Sequence, residues 1–175
     1  MPGLKVLIVG SGGREHALAI GLSNSPSVES IHTCPGNAGT AMLGVNHAVP
    51  ASDVNAVVEL AIELSVDLVV VGPEAPLVSG ISDSLREKGI PSFGPHSEGA
   101  ELEGSKLHAK QMMEQLGIPT AGVQILKPDS DIDAALSRYS PPWVIKRDVL
   151  AAGKGVVVTS DFQEANAFIQ ESITT

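Results

Sequence analysis

The sequence has 175 residues, a formal charge of −9, few aromatic residues and 18 glycines, a composition typical of an α/β protein with many short turns. This length fits one domain or one and a half, and the negative charge disfavours nonspecific binding to nucleic acid or to an anionic membrane surface. Cys34 is the single cysteine, which excludes an internal disulfide, and there is no run of transmembrane length and no signal pattern, so we expect a soluble cytoplasmic protein.

The chain begins with a predicted strand, a glycine-rich turn and a helix. Val6–Val9 are apolar, as in a buried parallel strand, and the helical pattern places Leu18 and Leu22 one turn apart. Backbone N–H groups converge in such a turn at the positive end of a helix, so the turn predicts a phosphate site, with a tight turn that binds nothing as the alternative. A dinucleotide site is disfavoured because it needs a third glycine where Glu15 stands. The turn consists of Gly10, Ser11, Gly12 and Gly13.

The elements that follow alternate between strand and helix. Asp53 is placed to cap one helix, and Gly89 closes the next. This alternation predicts an α/β fold with a doubly wound parallel sheet, whose ligands bind outside the carboxyl ends of the strands. The loops after Val9, Thr33 and Val71 should therefore open on one edge. The predicted elements are Ser30–Thr33, Val45–Val49, Val54–Leu64, Asp67–Val71, Ile81–Lys88 and Pro91–Phe93.

The pattern changes after Gly94 and Pro95. A helix is predicted over Ser105–Leu116, with Ser105 as its N-cap and Gly117 past its end. The elements that follow it form a β-α-β-β-α unit that is too small to be a full catalytic domain. They are predicted at Gly122–Leu126, Asp131–Tyr139, Trp143–Lys146 and Val156–Thr159, with a last helix from Phe162 towards Ile169.

Glycines and lysines of this second part are candidates for a polyphosphate site. A hairpin loop with Gly153, Lys154 and Gly155 can lay N–H groups over phosphates, although it lacks the Walker A spacing and a plain hairpin is the alternative. Lys146 ends the strand before that loop and is either a phosphate contact or a solvated edge lysine. Lys106 starts a helix, where the dipole disfavours a cation unless an anion is bound.

The remaining candidates lie in loops at predicted strand ends. Glu74, in a stiff loop with Gly72 and Pro73, is either a ribose-binding acid or an ordinary exposed one. Asn37 is by default a turn residue. The histidines show no metal-ligand spacing with Cys34, and no Ser-His-Asp set is evident, so we predict neither a zinc site nor a nucleophile.

Five stretches, taken in order, resemble the phosphoribosylamine–glycine ligase family, also called glycinamide ribonucleotide synthetases. The resemblance spans nearly the whole chain. It implies a pre-ATP-grasp domain over residues 1–119 that binds a phosphosugar, followed over residues 120–175 by the small α+β lid subdomain of an ATP-grasp fold. The matching stretches are Gly10–Ala19, Pro35–Thr40, Val70–Leu77, Leu102–Lys106 and Leu150–Val156.

In that family ATP phosphorylates the carboxylate of glycine, and the amine of 5-phosphoribosylamine attacks the acyl phosphate, a step of de novo purine synthesis. The resemblance implies that residues 10–13 lie near the ribose phosphate and that Asn37 and the loop of Gly72, Pro73 and Glu74 hold the sugar. It also implies that Lys106 and Lys146 meet ATP and that residues 153–155 close over its phosphates. The expected partners are therefore small molecules, with ATP and Mg²⁺ as cofactors.

The chain departs from the family pattern in two ways. Arg147 and Val149 stand where the family has a small residue and a glycine, and valine would be strained there if that glycine has positive φ. The family's magnesium ligands lie beyond Thr175, so we expect an incomplete chain without metal ligands. The alternatives are a truncated, non-catalytic module that binds phosphosugar or nucleotide, another ATP-grasp carboxylate–amine ligase, and an NAD-dependent dehydrogenase.

Overall fold

The computed structural model describes residues 3–150 and 155–174. The chain divides into two compact units, Met1–Gly104 and Ser105–Thr175, each with its own sheet and hydrophobic core. The helix that starts at Lys106 has Ser105 as its N-cap, as predicted, and Asp148 of the same unit also accepts the Lys106 N–H. In the part of the chain that is described, no helix is both long and apolar enough to cross a membrane.

The first unit is a five-stranded parallel sheet with helices on both faces, which confirms the predicted α/β fold. The strand order is β3-β2-β1-β4-β5. The chain moves outward from β1 in one direction and then returns to the other side of it, so the crevice between the carboxyl ends of β1 and β4 is the position where such sheets bind ligands. The strands are β1 (Leu4–Gly10), β2 (Val28–Pro35), β3 (Val45–Asn46), β4 (Leu68–Val71) and β5 (Ser92–Phe93); the helices are α1 (Gly13–Ser23), α2 (Val54–Glu63), α3 (Glu74–Val78), α4 (Ile81–Glu87) and α5 (Ser97–Gly104), with a 3₁₀ turn at Thr40–Met42.

The central strand β1 is apolar over Val6–Val9, where both of its faces are covered. Val6–Val9 have no exposed surface. Alternate residues of a strand point to opposite faces, so Leu7 and Val9 pack into a core with side chains of α2 and α4, whereas Val6 and Ile8 pack with Ala19 of α1. This core fixes the strand ends from which the loops of the candidate site project.

Two helices of the first unit were not predicted. The stiff loop expected after β4 is the short helix α3, because Pro73 is its N-cap and Pro76 lies in its first turn. A proline is tolerated there, since the N–H groups of the first turn have no partner within the helix. The helix α5 was likewise missed, and β3 is shorter than the predicted strand Val45–Val49.

Two histidines at the edge of the sheet share a hydrogen bond, and this pair should make the first unit sensitive to acid. The His32 Nδ1 and His47 Nε2 atoms are 3.0 Å apart. Burial, His47 and the Lys5 ammonium together lower the pKa of His32. The unfolded chain therefore binds the proton first as the pH falls through the ordinary histidine pKa of about 6.5, and folded stability is lost in that range.

We expect the urea midpoint of the chain to fall between about pH 7.5 and about pH 5.5, and His32→Gln to reduce that fall. His108→Gln, in the second unit, is the control and should leave the fall unchanged. An identical pH dependence in the wild-type chain and in His32→Gln would contradict the assignment.

The second unit is an antiparallel hairpin packed on helices. Its core contains Ile132, Leu136, Ala165 and Ile169, with Trp143 and Ile145 against it. The predicted strand Gly122–Leu126 was wrong: these residues are irregular, because an alternating apolar pattern forms a strand only where a neighbouring strand pairs with it, and β6 pairs with β7 instead. The elements are α6 (Lys106–Gln115), α7 (Ile132–Ser137), β6 (Trp143–Lys146), β7 (Val156–Thr159) and α8 (Phe162–Thr174).

Candidate functional site

Three loops of the first unit meet at the carboxyl ends of β1, β2 and β4, as the topology predicted. They are the glycine loop (residues 10–13), the Asn37 loop (residues 35–39) and the Gly72 loop (residues 72–74). The Gly36 N–H donates to the Gly10 carbonyl at 3.1 Å, and the Arg14 Nη1 donates to the Gly72 carbonyl. The structure therefore brings together the residues that the sequence predicted for the phosphosugar.

The carboxylate of Glu15 occupies the buried side of the glycine loop. Glu15 is only 5% exposed, and its Oε2 accepts the Gly12 N–H at 2.5 Å. A Cβ added at Gly10 would lie 2.7 Å from the Cδ of Glu15, and one added at Gly72 would overlap its Oε1. The absence of side chains at Gly10 and Gly72 thus makes room for Glu15.

Gly13 is the part of the glycine loop that is open to a ligand. It is exposed at the first residue of α1, and a Cβ added there would meet nothing within 4 Å. Ser11 and Gly12 are also exposed, but the Gly12 N–H is already donated to Glu15. The N–H groups at the start of α1 lie at the positive end of the helix dipole, where an anion is stabilised.

The side chain of Asn37 forms hydrogen bonds with the backbone of its own loop and of the glycine loop. Its Nδ2 donates to the carbonyls of Ser11 and Gly12, each at 3.0 Å. Its Oδ1 accepts from the N–H groups of Gly39 at 2.8 Å and Thr40 at 3.0 Å. Since a side-chain amide has two donor hydrogens and an acceptor oxygen, these bonds use both hydrogens and the oxygen. The geometry thus matches the turn role, and the side chain joins the Asn37 loop to the glycine loop.

Glu74 is half-buried at the first residue of α3, two residues after Gly72. A carboxylate in the first turn of a helix is stabilised by the dipole. Because α3 starts directly after the Gly72 loop, the position of Glu74 depends on that of Gly72. Pro73, the N-cap of α3, links the two with a fixed φ.

In the second unit Lys106, the first residue of α6, is hydrogen-bonded to the loop that follows β6. The carboxylate of Asp148 accepts the N–H groups of Lys106 at 2.6 Å and Leu107 at 3.1 Å and the hydroxyl of Ser105 at 2.9 Å. The Lys106 Nζ donates to the carbonyl of Val149 at 2.9 Å. Asp148 therefore compensates the free N–H groups of α6, a role that sequence reasoning missed.

Val149 and Arg147 are accommodated without distortion. Among the described residues, Ser65 is the one non-glycine at positive φ, so the strain considered for Val149 is absent. Arg147 lies on the helix side of the hairpin: its guanidinium is 5.4 Å from the Phe168 ring centroid, and its Nη2 is 2.8 Å from Glu171 Oε1. The bulk of Arg147 therefore packs against α8.

The opposite face of the hairpin is apolar with a lysine at one end. The residues that share this exposed face are Val144, Lys146, Val156 and Val158. Gly155 is buried, and its carbonyl accepts the Arg147 N–H at 2.8 Å. The predicted phosphate-binding residues Gly153 and Lys154 lie outside the described residues.

No group of three or more histidine, cysteine, aspartate or glutamate side chains that fits a metal ion occurs within residues 3–150 and 155–174. The sequence also predicted no nucleophile, and the structure gives a reason why Cys34 is not one. Burial raises the pKa of the Cys34 thiol to about 12. The thiol is therefore protonated at neutral pH and is a poor nucleophile.

The chain is similar to known proteins over nearly its whole length. Residues 4–103 match the phosphoribosylglycinamide synthetase N domain, and residues 104–175 match the ATP-grasp (A) domain of the same enzyme. Two relatives named phosphoribosylamine–glycine ligase, from Streptomyces coelicolor and Mycobacterium tuberculosis, are 52% and 48% identical over 164 and 169 residues. These alignments cover 94% of this chain but 39% and 40% of the relatives, so the chain spans about two fifths of their length.

Solved structures extend the likeness to the fold. The crystal structure of phosphoribosylamine–glycine ligase from Thermotoga maritima matches with a TM-score of 0.72 at 34% identity, covering 97% of this chain and 39% of that one. An N5-carboxyaminoimidazole ribonucleotide synthetase in complex with ADP matches with a TM-score of 0.76 at 20% identity, covering 98% of this chain and 46% of that one, which shows the shared fold alone. By its sequence and its fold, the chain belongs to the phosphoribosylglycinamide synthetase family.

Proposed function

We propose that this chain is the N-terminal part of an ATP-dependent ligase of purine synthesis. The ligase joins glycine to 5-phosphoribosylamine and yields glycinamide ribonucleotide, ADP and phosphate in the cytoplasm. The observation that carries the proposal is the meeting of the glycine, Asn37 and Gly72 loops at the carboxyl ends of β1, β2 and β4 in a chain of this family.

The phosphosugar binds at these three loops. The N–H groups at the start of α1, beginning with Gly13, receive the phosphate, because they lie at the positive end of the helix and the space around Gly13 is open. Glu74 accepts hydrogen bonds from the ribose hydroxyls. Residues 10–12 and Asn37 set the backbone of the loop that faces the sugar.

The second unit binds ATP. The apolar hairpin face with Val144 and Val158 packs against the purine, and Lys146 at its end attracts the phosphates, as does Lys106. By the family resemblance, we assign residues 153–155 to contacts with the phosphates. Ammonium groups in such positions stabilise the negative charge of a phosphoryl group during its transfer to the carboxylate of glycine. The amine of the sugar then attacks the acyl phosphate, forming the C–N bond and releasing phosphate.

Mg²⁺ accompanies ATP in this reaction. The described residues do not provide a site for this ion, because they include no cluster of three or more histidine, cysteine, aspartate or glutamate side chains that could bind it. We assign its ligands to the part of the ligase that corresponds to the unmatched length of the relatives.

The test is a pair of measurements on this chain. We expect ribose 5-phosphate and ADP each to bind in calorimetric titrations, and we expect no ADP release when ATP, glycine and phosphoribosylamine are supplied together. Binding without turnover supports an N-terminal part that needs the rest of the ligase. Full turnover would refute the incompleteness of the chain, and failure of ribose 5-phosphate to bind would refute the phosphosugar site. NADH binding in the micromolar range would favour a dehydrogenase instead.

Replacing Gly13 with valine should abolish ribose 5-phosphate binding and leave the fold intact. A side chain at this position fills the space that the phosphate needs, yet it meets no protein atom within 4 Å. Gly21→Val is the matched control, since Gly21 lies in the same helix and is equally open. Both variants should show similar thermal stability, and only Gly13→Val should lose binding in the titration. Unchanged affinity in Gly13→Val would remove this residue from the site.

A further inference from the structure

Two consecutive residues in the first turn of α1 reach the Gly72 loop in different ways. The guanidinium of Arg14 donates to the Gly72 carbonyl from the exposed side. The carboxylate of Glu15 lies against Gly72 from the buried side, in the volume that a side chain at position 72 would occupy. The Gly72 loop is thus held between them.

The burial of Glu15 exceeds what a helix cap requires. The Oε2 atom accepts the N–H of the N-cap Gly12, which is the glutamate half of a capping box, since glycine has no side chain for the reciprocal bond. A cap of this kind works on the surface of a helix, and burying a carboxylate is unfavourable unless it is well hydrogen-bonded. A local cap would also place no demand on Gly10 or Gly72, which lie outside the helix and leave space for this side chain.

We infer that Arg14 and Glu15 are positioning residues that fix the Gly72 loop against the glycine loop and thereby fix Glu74 relative to the phosphate-binding end of α1. The inference rests on the proposed function, in which the sugar contacts both places. Glu74 starts α3 only two residues after Gly72, so a displacement of Gly72 displaces the acid with it. Neither Arg14 nor Glu15 needs to touch the sugar for this role.

A double-mutant cycle with ribose 5-phosphate as the probe tests the inference. Glu15→Ala should weaken binding on the order of tenfold in the wild-type background, whereas Glu74→Ala should abolish that effect, since no positioned acid remains. Glu15→Gln should restore most of the affinity, because its amide oxygen still accepts the Gly12 N–H and its volume is unchanged. Arg14→Met, at an exposed position, should weaken binding without affecting the core. Additive effects of Glu15→Ala and Glu74→Ala would overturn the inference.

Amide hydrogen exchange separates this inference from the proposed function. The Gly72 N–H donates to the Val9 carbonyl at 3.0 Å, so its exchange reports opening of the Gly72 loop. We expect faster exchange at Gly72 in Arg14→Met and Glu15→Ala than in the control Glu59→Ala, which removes an exposed acid from α2. If the wild-type chain fails to bind ribose 5-phosphate, the proposed function fails and exchange alone decides the positioning role. Unchanged exchange at Gly72 in both variants would overturn the positioning role of Arg14 and Glu15.

Discussion

Replacing Gly72 with alanine is expected to destabilise the first unit by about 1–3 kcal/mol, the usual effect of overpacking, and to abolish ribose 5-phosphate binding. The added methyl group would overlap the Oε1 atom of Glu15, a buried side chain. Either the carboxylate or the Gly72 loop must therefore shift. Urea unfolding gives the change in stability, and calorimetry gives the change in affinity.

Glu15→Ala identifies the cause of this effect. If the clash with Glu15 is responsible, Gly72→Ala should destabilise the Glu15→Ala background much less than the wild-type chain. Gly13→Ala is the control for adding a methyl group in the same region, and it should leave stability nearly unchanged because its surroundings are open. A Gly72→Ala variant with wild-type stability and affinity would contradict the role that we assign to the space at Gly72.

Replacing Asp148 with alanine is expected to lower the stability of the second unit by about 0.5–2 kcal/mol and to weaken ADP binding. The carboxylate accepts hydrogen bonds from Ser105, Lys106 and Leu107, so its loss leaves the N–H groups of Lys106 and Leu107 without partners and frees the backbone that carries Lys106. Chemical unfolding and an ADP titration measure the two effects.

A second capping aspartate in the same unit provides the control. Asp131 accepts the Ala134 N–H at 3.0 Å and caps α7, a helix that is not part of the proposed ATP site. Asp131→Ala should lower stability by a similar amount and leave the affinity for ADP unchanged. Equal losses of ADP affinity in the two variants would show that Asp148 acts through stability alone.

The sheet of the first unit could be predicted because its signal is local. A parallel strand covered on both faces is a continuous apolar run, and Val6–Val9 and Leu68–Val71 are such runs. The convergence of three loops followed from the alternation of strands and helices alone. The helix α3 was missed because its prolines indicated a loop, whereas Pro73 at the N-cap and Pro76 in the first turn are compatible with a helix.

The structural roles of Glu15 and Asp148 were harder to foresee, because each depends on residues that are distant in the sequence. Glu15 stands three residues after Gly12, the spacing at which a glutamate side chain accepts the N–H of the helix N-cap, so its bond to Gly12 could have been predicted. Its burial, however, depends on Gly72, and the hydrogen bonds of Asp148 depend on Ser105 and Lys106. The predicted strand Gly122–Leu126 failed for a related reason, since a strand needs a partner that its own pattern does not specify.

Successive side chains of β6 alternate between the face that packs on the helices and the opposite, exposed face, so neighbouring positions are under different structural constraints. Substitutions of Ile145 or Arg147 must preserve the volume and polar contacts that face the helices, whereas Val144 and Lys146 on the opposite face are free of that demand. In the proposed ATP site, substitutions of Val144, Val156 or Val158 therefore change the affinity for the nucleotide while the residues that face the helices stay as they are.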